Sequence, residues 1–181
     1  HKEIGKHAVL RSPLSSKLGS HENKPRLILL CLGKHCQYRI FRLGDLSRPP
    51  QESSIVTSDY QRRFSGVSRL YGPTAMERLQ AANVCVVGVG GVGSWALEAL
   101  ARSGVGNLTA VDLDMVAESN TNRQIHALGD IYGKAKVDAM AERILDINPD
   151  CHVSRVEDFV TPENVADILL PDFDVIIDAI D

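Results

Sequence analysis

Between Gly88 and Asp181 the chain sets glycines, acids and bases in a spacing that suits the handling of phosphate. Gly88, Gly90, Gly91 and Gly93 fall within six positions, at the end of the apolar run Val84–Val89, and Ser94 follows them. Glycine adopts backbone angles that other residues resist and lets the main chain approach a ligand closely. A helix opening at Ser94 adds unpaired N–H groups and a partial positive charge, a ready site for phosphate. Asp112 stands one strand further on, where an acid can hold a ribose hydroxyl. Asn120, Asn122, Arg123 and Gln124 cluster within five positions, and Lys134 and Lys136 come next. Lysine at a helix start opposes the dipole, so it is mildly unfavourable there without a ligand. Gly88-x-Gly90-x-x-Gly93 with a later acid fits a dinucleotide fold. Hydride transfer needs the turn and Asp112 only, which leaves the Asn/Arg/Lys cluster without a role. Displacement at the α-phosphorus of ATP does use such residues. Fixed cations neutralise the charge that develops, and a magnesium ion held by carboxylates adds to them. Arg123, Lys134 and Lys136 could supply the cations, and Asp112, Asp114 and Asp181 the carboxylates.

The elements that must position these groups follow from periodicity. Val84–Val89 is an almost unbroken apolar run, as expected of a strand buried on both faces of a parallel sheet. Ser94–Ser103, rich in Ala and Leu, predicts a helix, and Leu108–Val111 a second strand ending at Asp112. A polar loop follows, and Gly133-Lys134-Ala135-Lys136 opens a long helix. Its Val137, Met140, Ala141, Ile144 and Leu145 share one face, and Asn148-Pro149 ends it. Cys151–Val156 is a weakly patterned third strand. Thr161 and Pro162 suit the cap and first position of another helix, which stops before Pro171. Asp174–Ile180 is the fourth strand, with Asp181 just beyond. The alternation predicts an α/β fold: a Rossmann-like parallel sheet with helices on both faces, strand order 3-2-1-4.

Three regions are expected. Residues 83–181 form the nucleotide-binding domain, and 57–82 a helical segment. In the latter, Ser58 or Asp59 caps a helix bearing Tyr60, Arg62, Arg63 and Phe64, and a second helix runs from Pro73 to about Ala81. Residues 1–56 open basic and Ser-rich without periodicity and read as a poorly ordered or non-native extension. Within them RLILLCLGKHCQYRIFRL could make a hairpin turning near Gly33-Lys34, and LSRPPQESS reads as a linker. The chain starts at His1 and stops at Asp181, straight after an apolar strand. Both ends read as cuts, with a C-terminal half missing and the fourth strand left as an open edge. On the same ground the chain by itself is expected to bind ATP weakly.

The 181 residues are 44% hydrophobic and 24% charged, an ordinary globular balance. With a net charge of −3, contact with nucleic acid requires a local basic patch. Cys85 suits a core. Cys31 and Cys36 flank His35 but match no standard zinc spacing, and the scattered cysteines suit a reducing compartment. No apolar run reaches the length of a membrane span.

The spacing GxGGxGS…DxDxxxxSNxNRQ…GKxK…INP…DAxD resembles the ubiquitin-activating-enzyme-like superfamily of the ThiF, MoeB and HesA proteins. Within it, RRFSGVSRLYG (62–72), GVGGVGSWALEALARSG (88–104), NTNRQIHAL (120–128), INPDC (147–151), DFVTPENV (158–165) and VIIDAID (175–181) resemble the bacterial tRNA threonylcarbamoyladenosine dehydratases. The resemblance covers residues 57–181. It implies binding of ATP and magnesium, adenylation of a carboxylate with release of pyrophosphate, and ring closure on a modified adenosine of tRNA. It also implies a cytoplasmic homodimer. By position, Gly88, Gly90, Gly91, Gly93 and Ser94 would cradle the nucleotide and Asp112 hold the ribose. Asn120, Asn122, Arg123, Gln124 and Lys136 would contact nucleotide or phosphates. Asp181 matches a magnesium-linked aspartate, with Asp114 assisting, and Arg63 an arginine that reaches the nucleotide of a partner subunit. Arg123, Lys136, Asp181 and Arg63 are the implied catalytic set. Ser65-Gly66 departs from the pair of glycines usual after Arg-Phe. Two alternatives share parts of the pattern: an enzyme adenylating the C-terminus of a ubiquitin-like sulfur-carrier protein, and an NAD-binding oxidoreductase domain. A fragment that folds and binds little is a third.

Overall fold

The computed structural model describes residues 26–32, 37–43, 58–169 and 173–180. Its order is β1 (Arg26–Leu32), β2 (Gln37–Leu43), α1 (Ser58–Tyr71), α2 (Pro73–Ala81), β3 (Asn83–Val87), α3 (Gly93–Arg102), β4 (Asn107–Val111), α4 (Lys136–Ile147), β5 (His152–Val156), α5 (Val165–Leu169) and β6 (Val175–Asp178). The six strands form one sheet in the order β2-β1-β6-β3-β4-β5. The four strands of residues 83–181 thus run β5-β4-β3-β6, all parallel, as the alternation of elements predicts.

β3 lies at the centre because its residues are apolar on both faces. Val84 and Val86 pack with Leu97, Ala101, Met140 and Ile144 from α3 and α4. Cys85 and Val87 point the other way, to a smaller cluster with Phe173, Ile168 and Leu169. Successive strand side chains alternate between faces, so one continuous apolar run serves both layers. β5, at the edge, has no fully buried residue, which accounts for its weak pattern. The helix expected from Pro162 is shorter: residues 162–164 make turns, and α5 begins at Val165. There the Asn164 side chain accepts the Thr161 N–H at 2.7 Å.

The fourth strand is not an open edge. β1 runs parallel to β6, with Leu27 opposite Val175 and Leu30 opposite Asp178, and β2 pairs antiparallel with β1 as a hairpin would. The pairing is long-range, and a local apolar pattern does not reveal it. The turn at Gly33-Lys34, the proposed linker and residues 1–25 lie outside the described residues, as does Asp181.

The two helices ahead of β3 sit at the amino edge of the sheet. α2 is tied there by Gly106 N–H to Leu79 O and Asn107 N–H to Ala82 O, both 3.1 Å. α1 docks through buried Tyr60 and Phe64, whose rings lie 4.7 Å apart, and the Tyr60 hydroxyl donates to Gly104 O. Ser65 is exposed and bonds the Arg62 carbonyl, and a side chain at Gly66 would meet open space. The Ser65-Gly66 departure therefore costs this helix nothing in packing.

Candidate nucleotide site

The carboxyl ends of β3 and β6 meet where the strand order reverses, the position at which open α/β sheets bind ligands. Each glycine of the turn has its own reason. The strand ends at Val87, and Gly88 turns the chain with φ +88°, where a side chain would stand 2.8 Å from the Ala179 carbonyl oxygen. A side chain on Gly93 would fall 1.8 Å from the Gly88 carbonyl oxygen. These two glycines are required by the protein itself. Gly90 is different: a methyl group there meets no protein atom within 4 Å. Packing within the chain does not explain Gly90.

Asp112 fixes the turn. Its Oδ2 accepts the Val89 N–H at 2.6 Å and its Oδ1 accepts the Asp114 N–H at 2.8 Å. An ionised carboxylate has about four acceptor sites, so both oxygens keep capacity for a further donor. Lys136 lies against the same acid. Its Nζ is 3.8 Å from Asp112 Oδ1 and 2.7 Å from Asp114 Oδ2. The Lys136 side chain is only 7% exposed, while that of Asp114 is 60% exposed. A lysine at a helix start is commonly exposed, and Lys136 is not. Lys136 is buried because its main-chain N–H bonds Asp114 O at 3.0 Å, which folds the start of α4 onto the loop. Lys134 stays at the surface on Glu142.

The polar cluster after β4 folds into a short 3₁₀ turn at Glu118–Asn120. Asn120 is buried, and its Oδ1 accepts the Ala117 N–H at 3.0 Å. Its main-chain carbonyl takes the N–H groups of Arg123 and Gln124. Asn120 thereby shapes the loop. Arg123 is exposed, and its Nη1 donates to Ser119 O at 2.8 Å and Asn122 Oδ1 at 2.9 Å. A side chain on Gly91 would lie 3.4 Å from Arg123 Cγ, which puts this arginine over the glycine turn. Ser94 is fully buried; its hydroxyl faces the Ile125 N–H at 3.5 Å, so it joins α3 to the loop. Gln124 is buried, with no partner for Oε1 among the described residues.

Arg63 is not brought to this site within the chain. Its Nε donates to Asp59 Oδ2 at 2.7 Å and its Nη1 to Ile147 O at 3.4 Å. Ile147 and Lys136 are the two ends of α4, about 16 Å apart at 1.5 Å per residue.

Two features are not foreseen from the sequence. Trp95 is exposed, yet its indole N–H bonds Arg123 O at 2.9 Å and so fastens the arginine's main chain to α3. A lone tryptophan in the first turn of the helix is its only signal. His126 is 1% exposed, and neither ring nitrogen has a partner among the described residues. Burial, with Lys136 and Arg143 beside it and Asp112 opposing, pushes its imidazole down to about 4. It is therefore neutral at pH 7. Its sequence neighbours give no sign that the ring turns inward.

This loop, with its glycine turn, a buried lysine held by two acids and an arginine laid across the turn, stands at the carboxyl edge of a Rossmann-like α/β sheet. The ThiF family model matches residues 60–181, and the chain belongs to that family. It is 56% identical over 129 residues to the tRNA threonylcarbamoyladenosine dehydratase of Escherichia coli K12, covering 71% of this chain and 48% of that protein. It is 47% identical over 119 residues to the dehydratase of Bacillus subtilis 168, covering 66% and 47%. The crystal structure of the E. coli enzyme in complex with ATP superposes with a TM-score of 0.70 at 53% identity, covering 71% of this chain and 53% of that one. The chain spans about half the length of the curated relatives it matches.

Proposed function

We propose that this chain carries the ATP-handling half of an enzyme that adenylates the carboxylate of threonylcarbamoyladenosine in tRNA. The observation that carries it is Lys136, a buried cation held 2.7 Å from Asp114 at the foot of the glycine turn. The likeness to the two dehydratases adds the choice of substrate. ATP enters as substrate: Gly88–Gly93 and the start of α3 receive its phosphates, and Asp112 takes a ribose hydroxyl. A carboxylate oxygen of the threonyl group attacks the α-phosphorus, the bond to the β-phosphate oxygen breaks, and pyrophosphate leaves. Lys136 and Arg123 stabilise the charge that builds on the phosphate oxygens. A nitrogen of the same modified base then attacks the activated carbonyl, AMP departs with the former carboxylate oxygen, and the ring closes with net loss of water. With tRNA as substrate the enzyme works in the cytoplasm, as a homodimer in which Arg63 serves the neighbouring nucleotide.

Magnesium is implied by the resemblance, but among the described residues no three His, Cys, Asp or Glu side chains converge to hold an ion. Asp114 is taken by Lys136. The described residues do not by themselves fit the metal.

Exchange of labelled pyrophosphate into ATP tests this assignment. Exchange is expected with threonylcarbamoyladenosine-containing tRNA and not with a sulfur-carrier protein. Exchange driven by the carrier protein, or binding of NAD in preference to ATP, would contradict it.

A further inference from the structure

At the far end of α4 from Lys136 lies a cleft of about 500 Å³, lined by Arg63, Phe64, Arg102, Arg143, Asp146 and Ile147. Its guanidiniums come from three helices, α1, α3 and α4, and two of them are anchored from behind. Glu98 on α3 has a side chain only 7% exposed. It accepts Arg143 Nε at 2.6 Å and Nη2 at 3.2 Å, and Arg102 Nε and Nη2 each at 2.7 Å. Burial pushes the Glu98 carboxyl up, but the hydrogen bonds from Arg143 and Arg102 outweigh it and hold it below the usual range. It stays ionised and keeps both forks fixed. A guanidinium has five N–H donors in a rigid plane. Two are spent on Glu98 by each arginine, which leaves three on each, and both arginines line the cleft. Arg102 is the more open of the two, its side chain 60% exposed.

Two arginines on one buried carboxylate are more than an ion pair requires. A single partner would neutralise Glu98; the second leaves positive charge at the surface in a fixed orientation. Planar, pre-oriented guanidiniums are the side chains best matched to phosphate oxygens. Phe64 and Ile147 add apolar atoms to the lining.

We propose that this cleft binds a backbone phosphate of RNA, with Arg102 and Arg143 as the donors and Glu98 as the buried group that aims them. The inference rests on the tRNA reading above and extends it by a local site that makes up for the acidic chain. The cleft lies one helix length from Lys136, so it grips the RNA away from the reacting base.

Fluorescence anisotropy of labelled tRNA with the whole chain, titrated over a range of salt, tests the site. Arg102→Ala is the main variant because its side chain is mostly exposed and Glu98 keeps Arg143. The slope of log affinity against log salt is expected to fall by about 0.7–0.9, the share of one phosphate that is no longer neutralised. Arg102→Lys keeps the charge and is expected to hold most of the slope. ATP affinity, measured alongside, is expected to stay within twofold in both. An unchanged slope in Arg102→Ala, with tRNA still bound, would overturn the site and leave the tRNA reading intact. A fall in ATP affinity in place of the fall in tRNA slope would assign the guanidiniums to a nucleotide and also overturn it. Absence of salt-dependent tRNA binding by the unaltered chain would remove the tRNA reading and this site together.

Discussion

The two ends of α4 carry ion clusters of opposite build. At its start a buried cation, Lys136, faces an exposed acid, Asp114. Towards its end a buried acid, Glu98, faces an exposed cation, Arg102, with Arg143 on the same carboxylate. In each cluster the buried member is the one held in place by its surroundings. Asp112 and the loop fix Lys136; two guanidiniums fix Glu98. The exposed member is the one a ligand can exchange with or join. At the start of α4, phosphate oxygens can replace Asp114 on a lysine that is already positioned. At the other end, an anion can add to guanidiniums without displacing anything. The same two charges, arranged in reverse, therefore suit a reacting nucleotide at one end and a passive grip at the other.

This contrast fails first, if it fails, at Lys136. Lys136→Met keeps most of the side-chain volume and removes the charge. Removing one donor that stabilises developing charge typically costs on the order of 10²-fold or more in rate. Pyrophosphate release is expected to fall by that amount, with a loss of stability below about 2 kcal/mol, since Asp112 keeps its two N–H donors and Asp114 can turn to solvent. A normal rate would show that Lys136 only supports the fold.

Arg143→Ala should behave in the opposite way. It leaves Glu98 buried with one partner, and hydrogen bonds to charged groups contribute about 1.5–3 kcal/mol. Urea unfolding is expected to show a loss of about 2–3 kcal/mol, with ATP affinity unchanged. A stability equal to wild type would mean that Glu98 is already satisfied by Arg102 alone.

Much of this arrangement is legible in the sequence, and the reasons differ by element. The glycine turn announces itself because Gly88 and Gly93 meet steric limits that only glycine passes, and such limits act over a few residues. β3 is legible because both its faces are buried. The burial of Lys136 is not, since a helix start is usually exposed and the hydrogen bond to Asp114 O spans a loop of more than twenty residues. Glu98 and Arg102 form an i,i+4 pair that the sequence displays, but Arg143 joins them from a different helix. The pairing of β1 with β6 likewise depends on residues far apart in the chain.

His126 is lowered first by burial and then by Lys136 and Arg143, one from each cluster, with Asp112 opposing. Its ring is neutral in the folded chain and titrates near 6.5 once unfolded. Because the folded value is depressed to about 4, its contribution is fully present above pH 6.5 and is lost as pH falls towards 4. Over that window the slope approaches 1.4 kcal/mol per pH unit, one proton's worth. His126→Gln is expected to flatten the stability profile between pH 6.5 and 4.5, above the range where Glu98 protonates. Equal slopes in variant and wild type would show that the ring finds a partner when charged.

The smallest effect is expected at Asp114. The amide that replaces the carboxylate keeps an oxygen that can accept from the Lys136 ammonium, and Asp112 stays 3.8 Å from it, so Asp114→Asn should alter the melting temperature by no more than a degree or two. Its ATP affinity should hold or rise, since the lysine loses a competitor. A marked fall in affinity would make Asp114 a ligand in its own right.

The contrast between the two ends is tested most directly by calorimetric titration of ATP into the wild-type chain, Lys136→Met and Arg102→Ala under one set of conditions. Lys136→Met is expected to weaken ATP binding at least tenfold, and Arg102→Ala to leave it within twofold. Equal losses in both variants, or a loss in Arg102→Ala alone, would contradict the division of α4 into a nucleotide end and an RNA end.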